Sequence, residues 1–122
     1  MKDIMSLNVY TEALDFSNQI WTFCNQLDYF AKKTVGIQLV RSADSISANI
    51  AEGFGRFHYK ENLNFCYYAR GSVEETKDWI RKAFQRNLLP VQKEKTLIDN
   101  ITVISKMLNG YINSIKARAN QK

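Results

Sequence analysis

The chain has 122 residues, of which 45% are apolar and 24% charged, and its formal net charge is +5. This length and composition predict one domain spanning residues 1–122, and they argue against a disordered protein or one that needs a disulfide or metal to fold. One proline and five glycines are too few for the many turns of a β-sandwich or barrel, so we expect an all-α fold.

The first predicted helix covers residues 6–30. Its apolar side chains recur every three or four residues, at Val9, Ala13, Phe16, Ile20, Phe23, Leu27 and Phe30. A parallel line through Tyr10, Leu14 and Trp21 makes this apolar face wider than one partner helix needs. Two interpretations follow: the helix is buried between two neighbours, or Tyr10, Leu14 and Trp21 contact another subunit.

The second predicted helix covers residues 35–54, with Thr34 as its N-cap. Its apolar stripe is Leu39, Ala43, Ile46 and Ile50, and small residues between these positions allow a neighbouring helix to approach closely. Gly53 and Gly55 are expected to loosen its end.

The third and fourth predicted helices cover residues 59–87 and 90–117. A close helix crossing would explain Gly71 in the middle of the third, and the run ending at Pro90 is expected to stop it. The fourth begins near Pro90, and the tail from Lys116 onward is expected to fray. Four amphipathic helices with short connections predict an antiparallel up-down-up-down four-helix bundle.

Charge is distributed unevenly along the chain. The first thirty residues are acidic, whereas residues 77–95 and 100–122 are basic. The two basic segments predict one positive surface that could contact nucleic-acid phosphates or an acidic first helix of a neighbouring copy. The candidate nucleic-acid-binding residues are Lys77, Arg81, Lys82, Arg86, Lys93, Lys106, Lys116 and Arg118.

The segment with the most specific pattern is RSADSISANIAEGFGR, at residues 41–56. It resembles the signature of the four-helix bundle family encoded in intervening sequences of bacterial 23S rRNA genes. Further similar residues lie between about Val9 and Ile115, namely Gly36 to Leu39, Phe65, Ala69 to Val73, Glu75, Met107 and Leu108.

The resemblance implies an antiparallel bundle that assembles into rings, with pentamers favoured. A related protein, the accessory variability determinant of diversity-generating retroelements, is a basic pentameric barrel that binds a reverse transcriptase and nucleic acid. For members encoded within rRNA genes, no function is established. The resemblance therefore implies an oligomer associated with nucleic acid, without a reaction.

The residue types in the signature also support an interpretation that does not depend on the resemblance. Arg41, Ser45 and Glu52 share one helical face with Arg56, and Glu52 can pair with Arg56 one turn away. Together with Asn49 and Gly53, these residues form either a polar network at the corner between the second and third helices or a subunit or ligand contact surface.

The sequence predicts no enzyme, metal site or cofactor. His58 is the only histidine, which argues against di-iron, zinc and catalytic-triad chemistry. Cys24 and Cys66 are isolated and predict buried thiols in a reducing compartment. No run approaches 18 apolar residues and the N-terminal residues include acids, so we expect a cytoplasmic protein that does not associate with membranes.

Two functional hypotheses remain. The first is an oligomeric module that binds RNA or DNA, in which Phe57, His58 and Tyr59 could stack on bases, with packing inside the protein as the alternative for Phe57. The second is a structural ring that binds a protein partner without nucleic acid.

Overall fold

The computed structural model describes residues 3–121, and within that range the chain forms helices and no strands. A short 3-10 turn, Ile4–Ser6, precedes the first helix. The helices are α1 (Asn8–Asn25), α2 (Tyr29–Ala31), α3 (Ile37–Phe54), α4 (Tyr59–Gln85) and α5 (Val91–Asn120). Four of them are long, which confirms the prediction of an all-α protein with the helices of a four-helix bundle.

The core forms where the apolar stripes of the four long helices meet. The stripe predicted for α3 is buried throughout. On α4 the buried apolar residues are Cys66, Ala69, Val73, Ile80 and Ala83, and on α5 they are Leu97, Ile101, Ile104, Leu108, Ile112 and Ile115. In α1 the buried stripe is Val9, Ala13, Phe16 and Ile20. Helix α1 contacts α3 and α5, and α4 lies between α3 and α5.

The connection between α1 and α3 differs from the prediction. Helix α1 ends at Asn25 rather than at residue 30, and the next helical turn begins at Tyr29 because the Asp28 carboxylate accepts a hydrogen bond from the Ala31 amide at 2.9 Å. A π-helical turn, Lys32–Gly36, then leads directly into α3. Thr34 is therefore not an N-cap.

Thr34 lies inside the helical segment, and its hydroxyl donates to the Phe30 carbonyl at 2.8 Å. Because the chain starts a new helix before Phe30, that side chain leaves the predicted stripe of α1 and is exposed. Asp28, which lies nearer the end of α1, is therefore the N-cap in place of Thr34.

Backbone hydrogen bonds, rather than Pro90, end α4. Asn87 has a φ of 60°, the amide of Leu88 donates to the Ala83 carbonyl, and the amide of Asn87 donates to the Phe84 carbonyl. This pattern is a Schellman motif. Pro90 is the N-cap of α5, and α5 continues to Asn120, so the predicted fraying from Lys116 is wrong.

Helices α3 and α4 approach each other closely at Gly53, which is buried in the last turn of α3. A methyl group at this position would lie 2.6 Å from Oδ1 of Asn62 and 2.9 Å from Cβ of Phe65. Gly53 therefore does not loosen the helix end, as its sequence suggested; it makes room for α4.

Two side-chain hydrogen bonds connect the helices beyond this point. Thr76 on α4 bonds to Ser42 on α3, with 2.9 Å between the hydroxyl oxygens, and both side chains are buried. Asn62 on α4 donates to the Tyr111 hydroxyl on α5 at 3.2 Å. Buried polar groups on three helices therefore have partners within the bundle.

Gly71 has no close helix crossing to explain it. No atom lies within 4 Å of the position its Cβ would occupy, and the residue is exposed. The crossing expected from the sequence is wrong.

None of the helices across residues 3–121 combines the length and the apolar composition that crossing a lipid bilayer requires.

Substitution by alanine should have opposite effects on stability at Gly71 and at Gly53. Gly71→Ala should stabilise the protein by about 0.5–1 kcal/mol, because alanine loses less backbone entropy in a helix. Gly53→Ala should destabilise it by about 1–3 kcal/mol despite the same gain, because the methyl group must displace Asn62 or Phe65. Urea unfolding monitored by circular dichroism measures both values, and equal effects would contradict the close approach at Gly53.

Candidate functional site

An open groove lies between α1 and α3, with a volume of about 610 Å³. Its lining is mainly apolar, and Lys32 and Gly36 of the π-helical turn contribute to it. The lining residues are Trp21, Cys24, Asn25, Lys32, Gly36, Ile37, Val40, Arg41, Asp44, Ser45 and Ala48.

Two large apolar side chains of this groove are exposed to solvent. The Trp21 side chain from α1 is 61% exposed, and Ile37 from the first turn of α3 is also exposed. In the chain as described, their exposed apolar area therefore adds nothing to the stability of the core.

Two charged residues of α3 flank this apolar surface. Arg41 and Asp44 are one turn apart and both line the groove, yet neither forms an ion pair within residues 3–121. Partial burial raises the pKa of Asp44, and no cation offsets the shift. The groove lining therefore carries two positive groups, Lys32 and Arg41, and one negative group, Asp44.

The three residues predicted as a subunit contact do not lie together. Trp21 lines the groove, whereas Tyr10 is half-buried against the core and Leu14 is half-buried and outside the groove. The exposed part of the α1 face is therefore at its C-terminal half, where α1 meets the start of α3.

The signature residues divide between the groove and the far end of α3. Arg41 and Ser45 line the groove, and the Ser45 hydroxyl donates to the Arg41 carbonyl at 2.8 Å. Asn49 donates to the Ser45 carbonyl at 2.8 Å, so its amide bonds to its own helix rather than bridging to a neighbour.

At the far end, Arg56 connects α3 to α4. Its guanidinium lies 3.3 Å from Glu52 and 3.6 Å from Glu61, and it stacks 4.9 Å above the Phe65 ring. With the close contact at Gly53, these interactions form the corner network that was one of the two readings of the signature.

The predicted nucleic-acid-binding cations differ in whether an acidic side chain forms an ion pair with them. Lys77 pairs with Glu74 at 3.6 Å, and Lys82 pairs with Asp78 at 2.7 Å. Lys93 lines a shallow depression with Asp15 of α1. The remaining five are exposed and have no ion pair within the described chain: Arg81, Arg86, Lys106, Lys116 and Arg118.

These cations do not form the single surface that the sequence suggested. Arg81 and Arg86 are five residues apart, which places them about 140° apart around α4. Lys93 and Lys116 lie near opposite ends of α5, about 35 Å apart along the helix. The clustering of these cations in the sequence does not show on which side of its helix each of them lies.

Phe57 is the most exposed aromatic side chain of the described residues. It is 92% exposed in the loop between α3 and α4, where its ring meets the neighbouring His58 edge-on at 5.0 Å. The Phe57 side chain is therefore not packed inside the protein.

Both cysteines are buried, as predicted, and burial raises the pKa of each thiol to about 11. Cys24 lies beneath the groove, and the Cys66 thiol is 3.8 Å from Oδ1 of Asn62. Among the residues that the structure describes, no three His, Cys, Asp or Glu side chains are grouped to hold a metal ion.

Four of the groove residues that sequence reasoning missed lie on α3. Ile37, Asp44 and Ala48 continue the line of Arg41 at spacings of four, three and four residues, and Val40 lies beside it. That spacing was available from the sequence. The π-helical turn that positions α3 beside Trp21 had no sequence signal of its own.

The chain is similar to a known family and to a solved structure. It matches the family described as 23S rRNA-intervening sequence protein over residues 5–110. A crystal structure of a protein of unknown function from the S23 ribosomal protein family of Bacteroides thetaiotaomicron superposes with a TM-score of 0.81, at 24% identity, over 86% of this chain and 95% of the other. That identity shows a shared fold alone. No curated protein matches the chain.

The all-helical fold and the signature on α3 agree with this match, which extends from the turn before α1 into α5. The chain therefore belongs to the 23S rRNA-intervening sequence protein family.

Proposed function

We propose that this protein is a non-enzymatic, cytoplasmic binding module that assembles with copies of itself through the α1–α3 groove and binds nucleic acid through its unpaired cations. Two observations carry the proposal: the apolar groove around Trp21, and the exposed cations that have no acid partner among the described residues.

The assembly is a ring of antiparallel bundles, with five copies favoured by the resemblance to the accessory variability determinant protein. Two contacts support the antiparallel arrangement of α3 and α4. Gly53 at the end of α3 meets Asn62 near the start of α4, whereas Ser42 near the start of α3 bonds to Thr76 toward the end of α4.

Groove chemistry supports self-association. An exposed tryptophan and isoleucine supply apolar area, and Arg41 and Asp44 supply one charge of each sign that a neighbouring copy can pair with.

Charge supports nucleic acid as the ligand. A net charge of +5, with exposed cations that include Arg81, Arg86, Lys106, Lys116 and Arg118, attracts polyanions, and each phosphate contact releases counterions into solution. A structural ring that binds a protein partner is the second candidate, favoured by the apolar groove alone.

Substitution in the groove tests the assembly. Wild-type protein should run in light scattering at a multiple of 14.2 kDa, and Trp21→Ser with Ile37→Ser should reduce the mass toward that of one chain. Tyr68→Ser is the matched control, because Tyr68 is 57% exposed but lies on α4 outside the groove. A monomeric wild-type protein, or a double variant of unchanged mass, contradicts assembly through the groove.

Charge substitution tests the nucleic-acid surface. Lys116→Gln with Arg118→Gln should weaken binding to a labelled single-stranded RNA and reduce the slope of log K against log salt by about 1.4, since two phosphate contacts are removed. Fluorescence anisotropy at several salt concentrations measures both quantities.

The control for this experiment is Lys33→Gln with Lys95→Gln, which changes net charge equally. Lys33 lies over the Tyr29 ring, and Lys95 is paired with Asp99 at 3.3 Å. Equal weakening by both double variants would mean that only net charge matters. A wild-type protein that binds neither RNA nor DNA would leave the structural ring as the function.

A further inference from the structure

We propose that the end of the bundle carrying the α3–α4 loop is a binding site for an unpaired nucleobase, which stacks on Phe57 while its flanking phosphates contact Lys60, Lys116 and Arg118. This inference rests on the proposed nucleic-acid binding and assigns it a location and a ligand class, single-stranded nucleic acid.

The first argument is the presentation of Phe57. Apolar side chains of this size are rarely left in water at a loop tip unless another molecule covers them, and this ring is 92% exposed. His58 contacts it edge-on, with an interplanar angle of 89°, so the two rings do not stack on each other and an aromatic face stays open.

The second argument is that the loop is held in place. Arg56 precedes Phe57 and is bound to Glu52 on α3, to Glu61 on α4 and to the Phe65 ring. Because these contacts fix the backbone next to Phe57, less conformational entropy is lost when a base binds to it. They also occupy Arg56, so Arg56 positions the loop and is not a phosphate contact.

The third argument is that cations from another helix reach the same end of the bundle. The bond from Asn62 to Tyr111 places the start of α4 beside the last third of α5. Five residues connect Gln85 to Val91, so the opposite ends of these two helices are also adjacent. Lys116 and Arg118 therefore lie about 8 and 11 Å beyond Tyr111 along α5, toward the loop.

Electrostatics at Tyr111 agree with this placement. Burial raises the pKa of Tyr111, and the Asn62 hydrogen bond and the positive charge of Arg118 partly offset that effect. Lys60, in the first turn of α4, is exposed next to the loop. Lys60 and Lys116 have no ion pair within the described chain, and Arg118 donates only to the Ser114 hydroxyl, at 3.0 Å.

Base recognition requires this combination of an open aromatic face and cations for the phosphates. Stacking requires an unpaired base, whereas a duplex can meet only the cations. A protein partner would cover Phe57 equally well, but it would not need three unpaired cations around it.

The experiment compares Phe57→Leu and Phe57→Trp with the wild-type full-length protein. The probes are a single-stranded RNA carrying a fluorescent base analogue, a single-stranded DNA of the same sequence, and the RNA duplex. Phe57→Leu keeps an apolar side chain but removes the aromatic face, so it should weaken binding of both single strands about 5- to 100-fold.

The same variant should leave duplex affinity and the salt slope unchanged, because no phosphate contact is lost. Phe57→Trp should retain single-strand affinity and should quench the base analogue at least as strongly as the wild type. Melting temperature should not change in either variant, since the side chain is almost fully exposed.

Each result separates the two proposals. If wild-type protein binds single strands and Phe57→Leu binds them equally well, the base site is wrong while nucleic-acid binding stands. If Phe57→Leu instead changes the mass in light scattering, Phe57 is a subunit contact and the base site is overturned. If the wild type binds no nucleic acid at all, both proposals fail.

Discussion

The close approach of α3 and α4 at Gly53 is the contact on which the other helix positions depend. With no side chain at Gly53, the backbone and side chain of Asn62 can lie directly against α3. Asn62 then donates to Tyr111 on α5 and accepts a weak hydrogen bond from the Cys66 thiol. One glycine thus allows a polar residue to connect three helices at one level of the core, where every buried polar group must find a partner.

The tight pairing of α3 with α4 leaves the other side of α3 to α1, and there the packing is incomplete. Helix α1 stops at Asn25, and the chain returns through α2 and the π-helical turn before α3 begins. This path places Ile37 and Val40 beside Trp21 without covering them, which creates the groove. The apolar surface available for assembly is therefore a consequence of how the chain turns between α1 and α3.

The two proposed binding surfaces lie at different places on the bundle. The groove involves the C-terminal half of α1 and the first turns of α3, whereas the proposed base site combines the α3–α4 loop with the last turns of α5. A copy seated in the groove would consequently leave Phe57 accessible. The signature segment contributes to both, since Arg41 lines the groove and Arg56 anchors the loop. Such a division gives one short segment two structural roles.

The sequence by itself determined the elements and most of the core, because burial of α3, α4 and α5 follows the 3.6-residue period that their apolar stripes already display. The sequence also predicted the ion pair between Glu52 and Arg56, because the two residues are one helical turn apart. Only the tertiary structure decided which apolar side chains stay exposed, because Trp21 and Phe57 differ from buried aromatics in their neighbours and not in their spacing. It likewise decided which cations are free, since Asp78 lies one turn from both Arg81 and Lys82 in the sequence and only the structure shows that it pairs with Lys82. Whether a charge or an aromatic ring stays exposed to solvent depends on which residues lie beside it in space, and the helical period does not specify those neighbours.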